Sequence, residues 1–407
     1  MSGKTLEDWL SYIEGQHPNN IELGLDRCSL VLERLNIDRP KYKVFTVAGT
    51  NGKGSTCAML TGYFVNDGLS VGTFTSPHFL KFNERIAING QPVTDASICE
   101  AFVVIDKIRG DIELTYFEFN TLAAFYLFSQ AKLDYWVLEV GLGGRLDSVN
   151  MLDADVAIVT SIALDHTDWL GDSLDQIAIE KTGIARDNCL LVSGVVSPPA
   201  TIRSNASSIG AILKQKNEDF SFDEQEECWS WKNEEVEFSQ LNIPKLPLEN
   251  AATVIAALVY SELKPTQEKL NKLFSSINLL GRFQHVSTDP HVIIDVAHNP
   301  EAASELARQI HKLNVQPIAV CGMLEDKDFQ SVIEILADSF SKWFFADLHV
   351  PRGAKASTLA QYLPSSSCSE SVSAAFIEAK KYALENDLPI VVFGSFHTVA
   401  DYLEVNS

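Results

Sequence analysis

Residues 44–56 read Val-Phe-Thr-Val-Ala-Gly-Thr-Asn-Gly-Lys-Gly-Ser-Thr, a hydrophobic strand pattern that passes directly into a glycine-rich turn. Glycines let the backbone approach phosphate oxygens, and the N–H groups that begin a following helix point toward a bound anion. Lys53 adds a positive charge, and the hydroxyl of Ser55 or Thr56 can ligate magnesium. The stretch therefore predicts a site for the phosphates of a nucleoside triphosphate. The simpler alternative is a strand-to-helix turn that binds nothing.

This loop departs from the common phosphate-loop pattern GxxxxGK[ST]. Val47 occupies the position of the first glycine, and Gly54 separates Lys53 from Ser55. The general pattern is therefore too broad a description, and other residues must identify the kind of site.

Apolar strand-like runs alternate with helical patterns in two separate series along the chain. The first includes runs at 44–48, 135–139 and 156–161, and the second begins with the run at 292–296. Such alternation is typical of parallel sheets with crossover helices. We predict an α/β protein with an N-terminal P-loop ATPase-type domain of mostly parallel sheet over 1–280, and a smaller, Rossmann-like C-terminal domain over 281–407. The boundary follows a helix predicted over 251–274, and residues 216–238 resemble β-hairpin material.

Composition excludes several classes of partner. The 54 acidic residues outnumber the 32 Lys and Arg, giving a net charge of −22, whereas nucleic-acid binding demands a basic face. No apolar run approaches the roughly 18 residues that span a bilayer, and the N-terminus lacks a secretory pattern, so we expect a cytoplasmic protein without a membrane partner. Seven scattered cysteines without a CxxC pair indicate reduced thiols rather than a zinc site.

Polar side chains lie at the predicted carboxyl ends of the first series of strands, where open α/β sheets bind ligands. Ser76 and His78, Glu139, and Asp165 with His166 occupy such positions. Together they offer oxygen and imidazole ligands for a metal. On the residues alone, Glu139 can also be a structural ion-pair partner and His166 a core histidine. Lys181 reads as an ordinary solvated helix lysine.

The second series contains two further candidate segments. Asp295 and His298 follow a strand-like run and precede Asn299-Pro300, which suits a helix start, so both can act in a site or simply cap the helix. Arg282 lies just after the predicted boundary. It can bind a phosphate or be a surface residue of a linker.

Taken together, these motifs resemble the folylpolyglutamate synthase and dihydrofolate synthase family, and in particular its bacterial bifunctional members. The resemblance spans nearly the whole chain and rests on the segments 49–55, 75–78, 139–147, 165–166, 180–183, 281–284 and 295–300. The order Lys53-Gly54-Ser55 separates the chain from the related Mur peptidoglycan ligases, whose loop usually lacks this glycine.

The resemblance implies an ATP and magnesium site. The ATP-binding residues would be Gly49, Thr50, Asn51, Gly52, Lys53, Gly54, Ser55, Thr56, Asn250, Arg282 and Asp295. Magnesium would be bound by Ser55, Ser76, Glu139 and His166. Lys53, Lys181 and His298 would be catalytic, and Lys181 matches the lysine that is carbamylated in this superfamily.

The resemblance also implies a pteroate pocket. Its residues would be Gly24, Asp26, Arg27, Thr115, Phe117, Arg145 and Asp147. Stacking of an aromatic ring such as Phe117 on a flat heterocycle is physically reasonable, although core packing is its ordinary alternative.

The activity implied is ATP-dependent ligation of L-glutamate to dihydropteroate and to reduced folates through an acyl phosphate, by a monomer. Alternatives are polyglutamylation alone, a Mur-type amide ligase, a nucleotide-dependent switch, and a noncatalytic folate- or nucleotide-binding protein. The chain lacks an NKxD-type guanine-reading motif, and its metal-type residues argue against binding without catalysis.

Overall fold

The structure is a computed structural model that describes residues 3–17 and 22–406. Met1 and Ser2, the first residues of the segment used to predict cellular location, lie outside this part of the chain. Two compact units divide it, Met1–Ile277 and Asn278–Ser407.

Helices and strands alternate through both units. The helices are α1 Leu6–Glu14, α2 Asp26–Leu35, α3 Lys53–Asn66, α4 Asp95–Arg109, α5 Tyr116–Ala131, α6 Thr167–Leu170, α7 Leu174–Thr182, α8 Ala200–Ile209, α9 Leu248–Tyr260, α10 Gln267–Ser276, α11 Pro300–His311, α12 Phe329–Leu336, α13 Ala356–Leu359, α14 Val372–Asn386 and α15 Phe396–Asn406. The strands are β1 Lys43–Ala48, β2 Val71–Phe74, β3 Ile86–Ile88, β4 Gln91–Pro92, β5 Tyr135–Glu139, β6 Val156–Val159, β7 Leu190–Ser193, β8 Ile212–Gln215, β9 Phe220–Glu224, β10 Trp229–Asn233, β11 Glu237–Leu241, β12 Gln284–Thr288, β13 His291–Ile294, β14 Ile318–Cys321, β15 Lys342–Ala346, β16 Ser367–Ser369 and β17 Ile390–Phe393. Short 3-10 turns cover Phe82–Arg85, Ser148–Met151, Ala337–Ser339 and Ala360–Tyr362.

The first unit is built on an eight-stranded sheet in the order β4-β3-β2-β5-β1-β6-β7-β8. The six strands from β2 to β8 pair in parallel, and β3 and β4 add an antiparallel edge. All five residues of β5 are buried, as expected for a parallel strand covered by helices on both faces. The predicted mostly parallel sheet is confirmed.

This strand order decides where the functional loops lie. The carboxyl ends of β2, β5, β1 and β6 follow one another along a single edge of the sheet. Those ends lead into Ser76, Glu139, the loop at 49–52 and Thr160. Four segments that are distant in sequence therefore become neighbours.

Two local predictions differ from the structure. The helix predicted over 251–274 is wrong as a single element, because α9 ends at Tyr260 and α10 begins at Gln267. Pro265 lies in the break and has no N–H to continue a helix, and Glu262 and Lys264 adopt positive φ angles. The segment at 216–238 joins a three-stranded antiparallel sheet in the order β11-β10-β9, which adds one strand to the predicted hairpin.

The second unit contains a six-stranded sheet in the order β12-β13-β17-β14-β15-β16. Strand β12 is antiparallel to β13, and the other neighbours are parallel. A separate core of apolar residues from these strands and their helices fills this unit. The predicted smaller α/β domain is confirmed. None of the helices in the described ranges is both long and apolar enough to span a membrane.

Candidate active site

The phosphate loop connects β1 to α3 and has little room for side chains. Gly52 precedes the helix with φ of +83°, and a Cβ there would lie 2.4 Å from Oδ1 of Asn250. Gly49 has φ of +153°, and a Cβ there would lie 1.8 Å from Oγ1 of Thr160. Bare backbone at these two positions lets the loop pack against β6 and α9 while its N–H groups stay available to an anion.

The residues that follow β6 hold this loop in place. Thr50 donates its N–H to the carbonyl of Ser161 at 3.0 Å, and Asn51 donates its N–H to the hydroxyl of Ser161 at 3.0 Å. The Thr160 hydroxyl donates to the Asn51 carbonyl at 2.6 Å. The loop shape is therefore set by the protein before any ligand binds.

Lys53 lies over the loop that it follows. Its ammonium donates to the carbonyl oxygens of Gly49 at 3.0 Å and Thr50 at 3.3 Å. Lys53 is also the first residue of α3, so its charge adds to the positive end of the helix dipole. Both features suit the binding of a polyphosphate.

Ser55 carries a hydroxyl that the described part of the chain leaves without a hydrogen-bond partner. The residue is 1% exposed, and neither its Oγ nor Oγ1 of the buried Thr56 is paired there. A buried hydroxyl normally finds a partner, because leaving it unpaired costs free energy. An oxygen in this state fits a site that is completed by a cation or a phosphate.

Ser76 and Glu139 meet at the neighbouring strand ends. The Ser76 N–H donates to the Glu139 carboxylate at 3.0 Å, and Glu139 is buried. Within the described ranges no three His, Cys, Asp or Glu side chains form a group that could hold a metal by themselves. Magnesium usually takes one or two carboxylates together with waters and substrate phosphates, so this sparse set of oxygens fits that ion.

His166 and Lys181 differ from what their residue patterns suggested. His166 is not a core histidine, since its side chain is 39% exposed and its φ is +52° at the start of α6. Its N–H donates to the Asp165 carboxylate at 2.9 Å. Lys181, read from the pattern alone as a solvated lysine, is only 4% exposed at the end of α7.

The residues proposed for the pteroate pocket fall into two groups, of which the first surrounds the start of α5. Thr115 caps this helix, and its N–H donates to the Glu118 carboxylate at 2.8 Å. Arg27 reaches the same carboxylate through Nε at 2.9 Å and also contacts Glu22. Asp26 begins α2, which carries Arg27. The partly buried Arg27–Glu118 pair therefore anchors α2 to α5.

The second group lies on the loop after β5. Phe117 packs against the backbone of Gly141, Gly24 donates its N–H to the carbonyl of Leu146 at 3.2 Å, and half-exposed Arg145 pairs with Glu180 at 2.7 Å.

Asp147 is the buried carboxylate of this loop. It accepts N–H groups from Leu142 at 2.8 Å and Val149 at 2.9 Å. Burial nevertheless raises the pKa of Asp147 to about 6.

In the second unit, Asp295 forms hydrogen bonds with backbone N–H groups on both sides of it in the sequence. Its carboxylate accepts N–H groups from Phe283 and Ala297, both at 2.8 Å, and burial raises its pKa despite the opposing charge of Arg282. His298 contacts the Val296 carbonyl through Nδ1 at 2.7 Å. Asn299 caps α11, so capping by Asp295 or His298, the alternative considered from the sequence, is wrong.

Two interactions of the first unit were missed by sequence reasoning. Glu118 stands three residues after Thr115, and this spacing is the capping-box pattern, which could have predicted its position. Arg85, whose Nε donates to Nδ1 of His78 at 2.7 Å, follows no pattern that separates it from a surface arginine.

Comparison with known proteins places the fold and these loops in one class. Residues 47–258 match the Mur ligase middle domain, and residues 281–396 match the Mur ligase glutamate ligase domain. The two matches together define a Mur-type ligase.

Relatives of nearly full length narrow the class. The dihydrofolate synthase/folylpolyglutamate synthase of Escherichia coli K12 is 44% identical over 98% of this chain and 95% of its own, and that of Haemophilus influenzae is 41% identical over 98% and 97%. The structure of E. coli FolC in complex with DHPP and ADP is 42% identical, with a TM-score of 0.95 over 99% of this chain and 98% of that one. The structure of a bifunctional folylpolyglutamate synthase/dihydrofolate synthase with Mn, AMPPNP and L-glutamate bound is 43% identical, with a TM-score of 0.93 over the same shares. The chain belongs to the dihydrofolate synthase/folylpolyglutamate synthase family.

Proposed function

We propose that this protein uses ATP to join L-glutamate to dihydropteroate, forming dihydrofolate, and to reduced folates, forming folylpolyglutamates. The observation that carries the proposal is the buried and unpartnered Ser55 hydroxyl in the first turn of α3, which follows a phosphate loop at the sheet edge that also carries Ser76 and Glu139. Family membership over nearly the whole chain supports the same activity. On this proposal residues 1–280 form the ATP-binding domain and residues 281–407 the glutamate-ligase domain.

The phosphate loop binds ATP through its backbone N–H groups and Lys53. The substrate carboxylate attacks the γ-phosphorus, which gives an acyl phosphate and ADP. The amine of glutamate then attacks the acyl carbon, and phosphate leaves from a tetrahedral intermediate. Lys53 stabilises the charge that builds on the transferred phosphoryl group, so most of its effect is expected in the transition state. Asn250, Arg282 and Asp295 contact the nucleotide, and His298 acts as a catalytic residue.

Ser55, Ser76, Glu139 and His166 would hold magnesium. The ion supplies neutralisation of phosphate charge and orientation of the γ-phosphate for in-line attack. The protein contributes the placement of these groups: the backbone of Ser76 fixes the Glu139 carboxylate, and α3 fixes the Ser55 hydroxyl.

Lys181 is proposed to be carbamylated. The ammonium first loses one proton, the neutral amine then adds to carbon dioxide with formation of a C–N bond, and a second proton is released, so that the cation becomes a carboxylate-like anion. The 4% exposure of Lys181 supports this, because a buried ammonium is costly and a carbamate beside a cation is not. The new anion would orient the metal or the substrate.

The pteroate end is assigned to Gly24, Asp26, Arg27, Thr115, Phe117, Arg145 and Asp147. The Phe117 ring packs against Gly141, directly after β5, and lies 5.7 Å from the ring of Phe74. We also propose that the protein acts as a monomer in the cytoplasm, which light scattering and cell fractionation would check.

A product assay tests the function. The purified protein is incubated with ATP, magnesium, L-glutamate and either dihydropteroate or a reduced monoglutamyl folate, and ADP and product mass are measured. Each acceptor should gain one glutamate per ADP. Product from the folate alone would leave only polyglutamylation. Hydrolysis of ATP without any acceptor requirement would favour a switch-type ATPase, and tight binding without turnover a binding protein.

A further inference from the structure

Arg85 contacts the segment that carries Ser76. It ends the 3-10 turn Phe82–Arg85, and its carbonyl accepts the N–H of Thr75 at 2.9 Å. The guanidinium carbon lies 5.9 Å from the ring centroids of both Phe82 and Tyr116. The guanidinium thus lies beside two aromatic rings that contact each other, and the backbone of Arg85 is bonded to Thr75, the residue before Ser76.

One hydrogen bond fixes the orientation of this guanidinium. Nε of Arg85 donates to Nδ1 of His78 at 2.7 Å. Arginine can only donate, so Nδ1 of His78 accepts this bond. Because Nε donates to His78, the two Nη groups of the guanidinium are the donors that can bind another partner.

The described residues supply no carboxylate that pairs with Arg85. Nδ1 of His78 is the hydrogen-bond acceptor that they provide for it, and none of the ion pairs between them includes this residue. Burial lowers the pKa of Arg85, although the charges of Glu139 and Glu84 oppose the change. A partly buried cation without a bonded anion carries a desolvation cost that an anionic ligand can offset.

The charged groups near Arg85 indicate which kind of anion it would bind. The negative charge of Glu139 interacts with the Arg85 guanidinium, and the Glu139 carboxylate accepts the N–H of Ser76. An incoming substrate carboxylate would be repelled by the Glu139 carboxylate, and a guanidinium beside it removes that repulsion. Guanidinium also matches a carboxylate geometrically, because two parallel N–H groups can bind its two oxygens.

We propose that the Nη groups of Arg85 bind the carboxylate of the pteroate or folate substrate that becomes phosphorylated, while Nε and His78 hold the guanidinium in register. The inference rests on the proposed function and names a recognition residue for that reaction. Arg85 would thereby select acceptors that present a free carboxylate to the sheet edge.

Binding of two acceptors tests this directly. Dihydropteroate and its carboxamide, which lacks the charge, are titrated by calorimetry into the wild type, Arg85→Met and Arg203→Met. Arg203 is the matched control, since its side chain is 61% exposed and pairs with Glu218 on the surface. Arg85→Met should weaken the acid by between about tenfold and about 100-fold and leave the carboxamide within about twofold. Arg203→Met should change neither.

Three outcomes would overturn the inference. Equal weakening of acid and carboxamide would mean that Arg85 only shapes the loop. Loss of affinity for the ATP analogue AMPPNP with unchanged acid binding would assign Arg85 to the nucleotide phosphate. Weaker acid binding in His78→Ala together with unchanged acid binding in Arg85→Met would assign the carboxylate to His78 instead.

A second measurement tests the proposal if Arg85→Met fails to fold. In Arg85→Ala, millimolar guanidinium should restore part of the turnover with dihydropteroate, whereas ammonium at the same concentration should not. No rescue in a folded variant would count against direct recognition. The proposed function is judged separately by product formation in the wild type, so its failure is distinguishable from failure of the assignment of Arg85.

Discussion

The backbone N–H of Ser76 donates to the carboxylate of Glu139 at 3.0 Å, and this bond joins the ends of two adjacent parallel strands. Sixty-three positions separate the two residues in sequence. The bond holds a buried carboxylate at the end of β5, whose other neighbour in the sheet, β1, leads into the phosphate loop. Predictions about the site concern this corner of the sheet and the loops around it.

Replacement of Lys53 by alanine should abolish most turnover without unfolding the protein. The ammonium bonds two carbonyl oxygens of its own loop, and its main effect is expected on the charge of the transferred phosphoryl group. ADP release should fall by at least about 10²-fold, with little change in melting temperature. Lys41→Ala, at a side chain that is 65% exposed, is the control and should keep full activity. Near-normal turnover in Lys53→Ala would refute its role.

Gly52→Ala should damage nucleotide binding more than backbone strain alone explains. Gly52 and Gly68 both have positive φ, +83° and +76°, but a Cβ at Gly52 meets Asn250 at 2.4 Å, whereas one at Gly68 meets nothing within 4 Å. Both variants should lose about 1 kcal/mol of stability from strain. Only Gly52→Ala should also lose at least about tenfold in ATP affinity, measured by calorimetry. Equal affinities would show that the approach to Asn250 has no functional effect.

Ser55→Ala should weaken metal-dependent activity at no cost in stability. The hydroxyl is buried and lacks a partner among the described residues, so its removal leaves no broken hydrogen bond. We expect the magnesium concentration for half-maximal rate to rise by about tenfold or more. Thr46→Val removes another buried, unpartnered hydroxyl on β1 and should leave the metal requirement unchanged. A similar rise in both variants would contradict a ligand role for Ser55.

Asp147 should make stability fall as the pH rises through the range from about 4 to about 6. Its pKa in the folded protein is about 6 against an ordinary 3.8, so the folded state holds the proton more tightly. The contribution is complete below pH 3.8 and is lost as the pH passes 6, with a limit of about 3 kcal/mol. Urea unfolding of the wild type and Asp147→Asn across this range measures it.

The asparagine variant loses one acceptor for the N–H of Leu142 or Val149, but that loss is independent of pH. The difference in free energy of unfolding between the two proteins should therefore change with pH in the stated direction. A difference that stays constant from pH 4 to 7 would disprove the raised pKa.

Lys181→Ala should lose most activity, and short carboxylates such as acetate should restore part of it. Truncation of this buried side chain at the end of α7 opens space that a small anion can occupy in place of a carbamate. Turnover is measured with and without acetate, and ammonium chloride at equal ionic strength is the control. Full activity without additive, or restoration by the chloride salt, would exclude carbamate chemistry. Mass spectrometry under carbon dioxide would detect the modification in the wild type.

The strand and helix pattern predicted much of the fold because parallel strands buried on both faces are continuous apolar runs. β1 and β5 lie within a few residues of the apolar runs predicted at 44–48 and 135–139. The break between α9 and α10 was missed because the apolar periodicity on both sides outweighed one proline. The helix is broken by the positive φ angles of Glu262 and Lys264, and the pattern of apolar side chains does not reveal these backbone angles.

The site was predictable where chemistry follows a strand end and less so where tertiary packing decides. The loop at 49–56 and Glu139 were found from order and residue type. The burial of Lys181 could not be read from its helix, because the loop after β5 covers it: the Glu180 carbonyl accepts the N–H of Arg145 at 2.7 Å. Arg85 also escaped notice, since its neighbours Phe82, Tyr116 and His78 meet only in the folded chain.

The hydrogen bonds from Lys53 to the carbonyl oxygens of Gly49 and Thr50 have a thermodynamic consequence. A phosphate that takes over these donors exchanges bonds already formed, so this contact should release little heat. The rotamer freedom of the lysine is lost when the chain folds, and little further entropy is lost on association. At this contact, the favourable free energy of ATP binding should therefore come mainly from the release of water by the phosphates. The enthalpy of ATP binding should change little in Lys53→Arg.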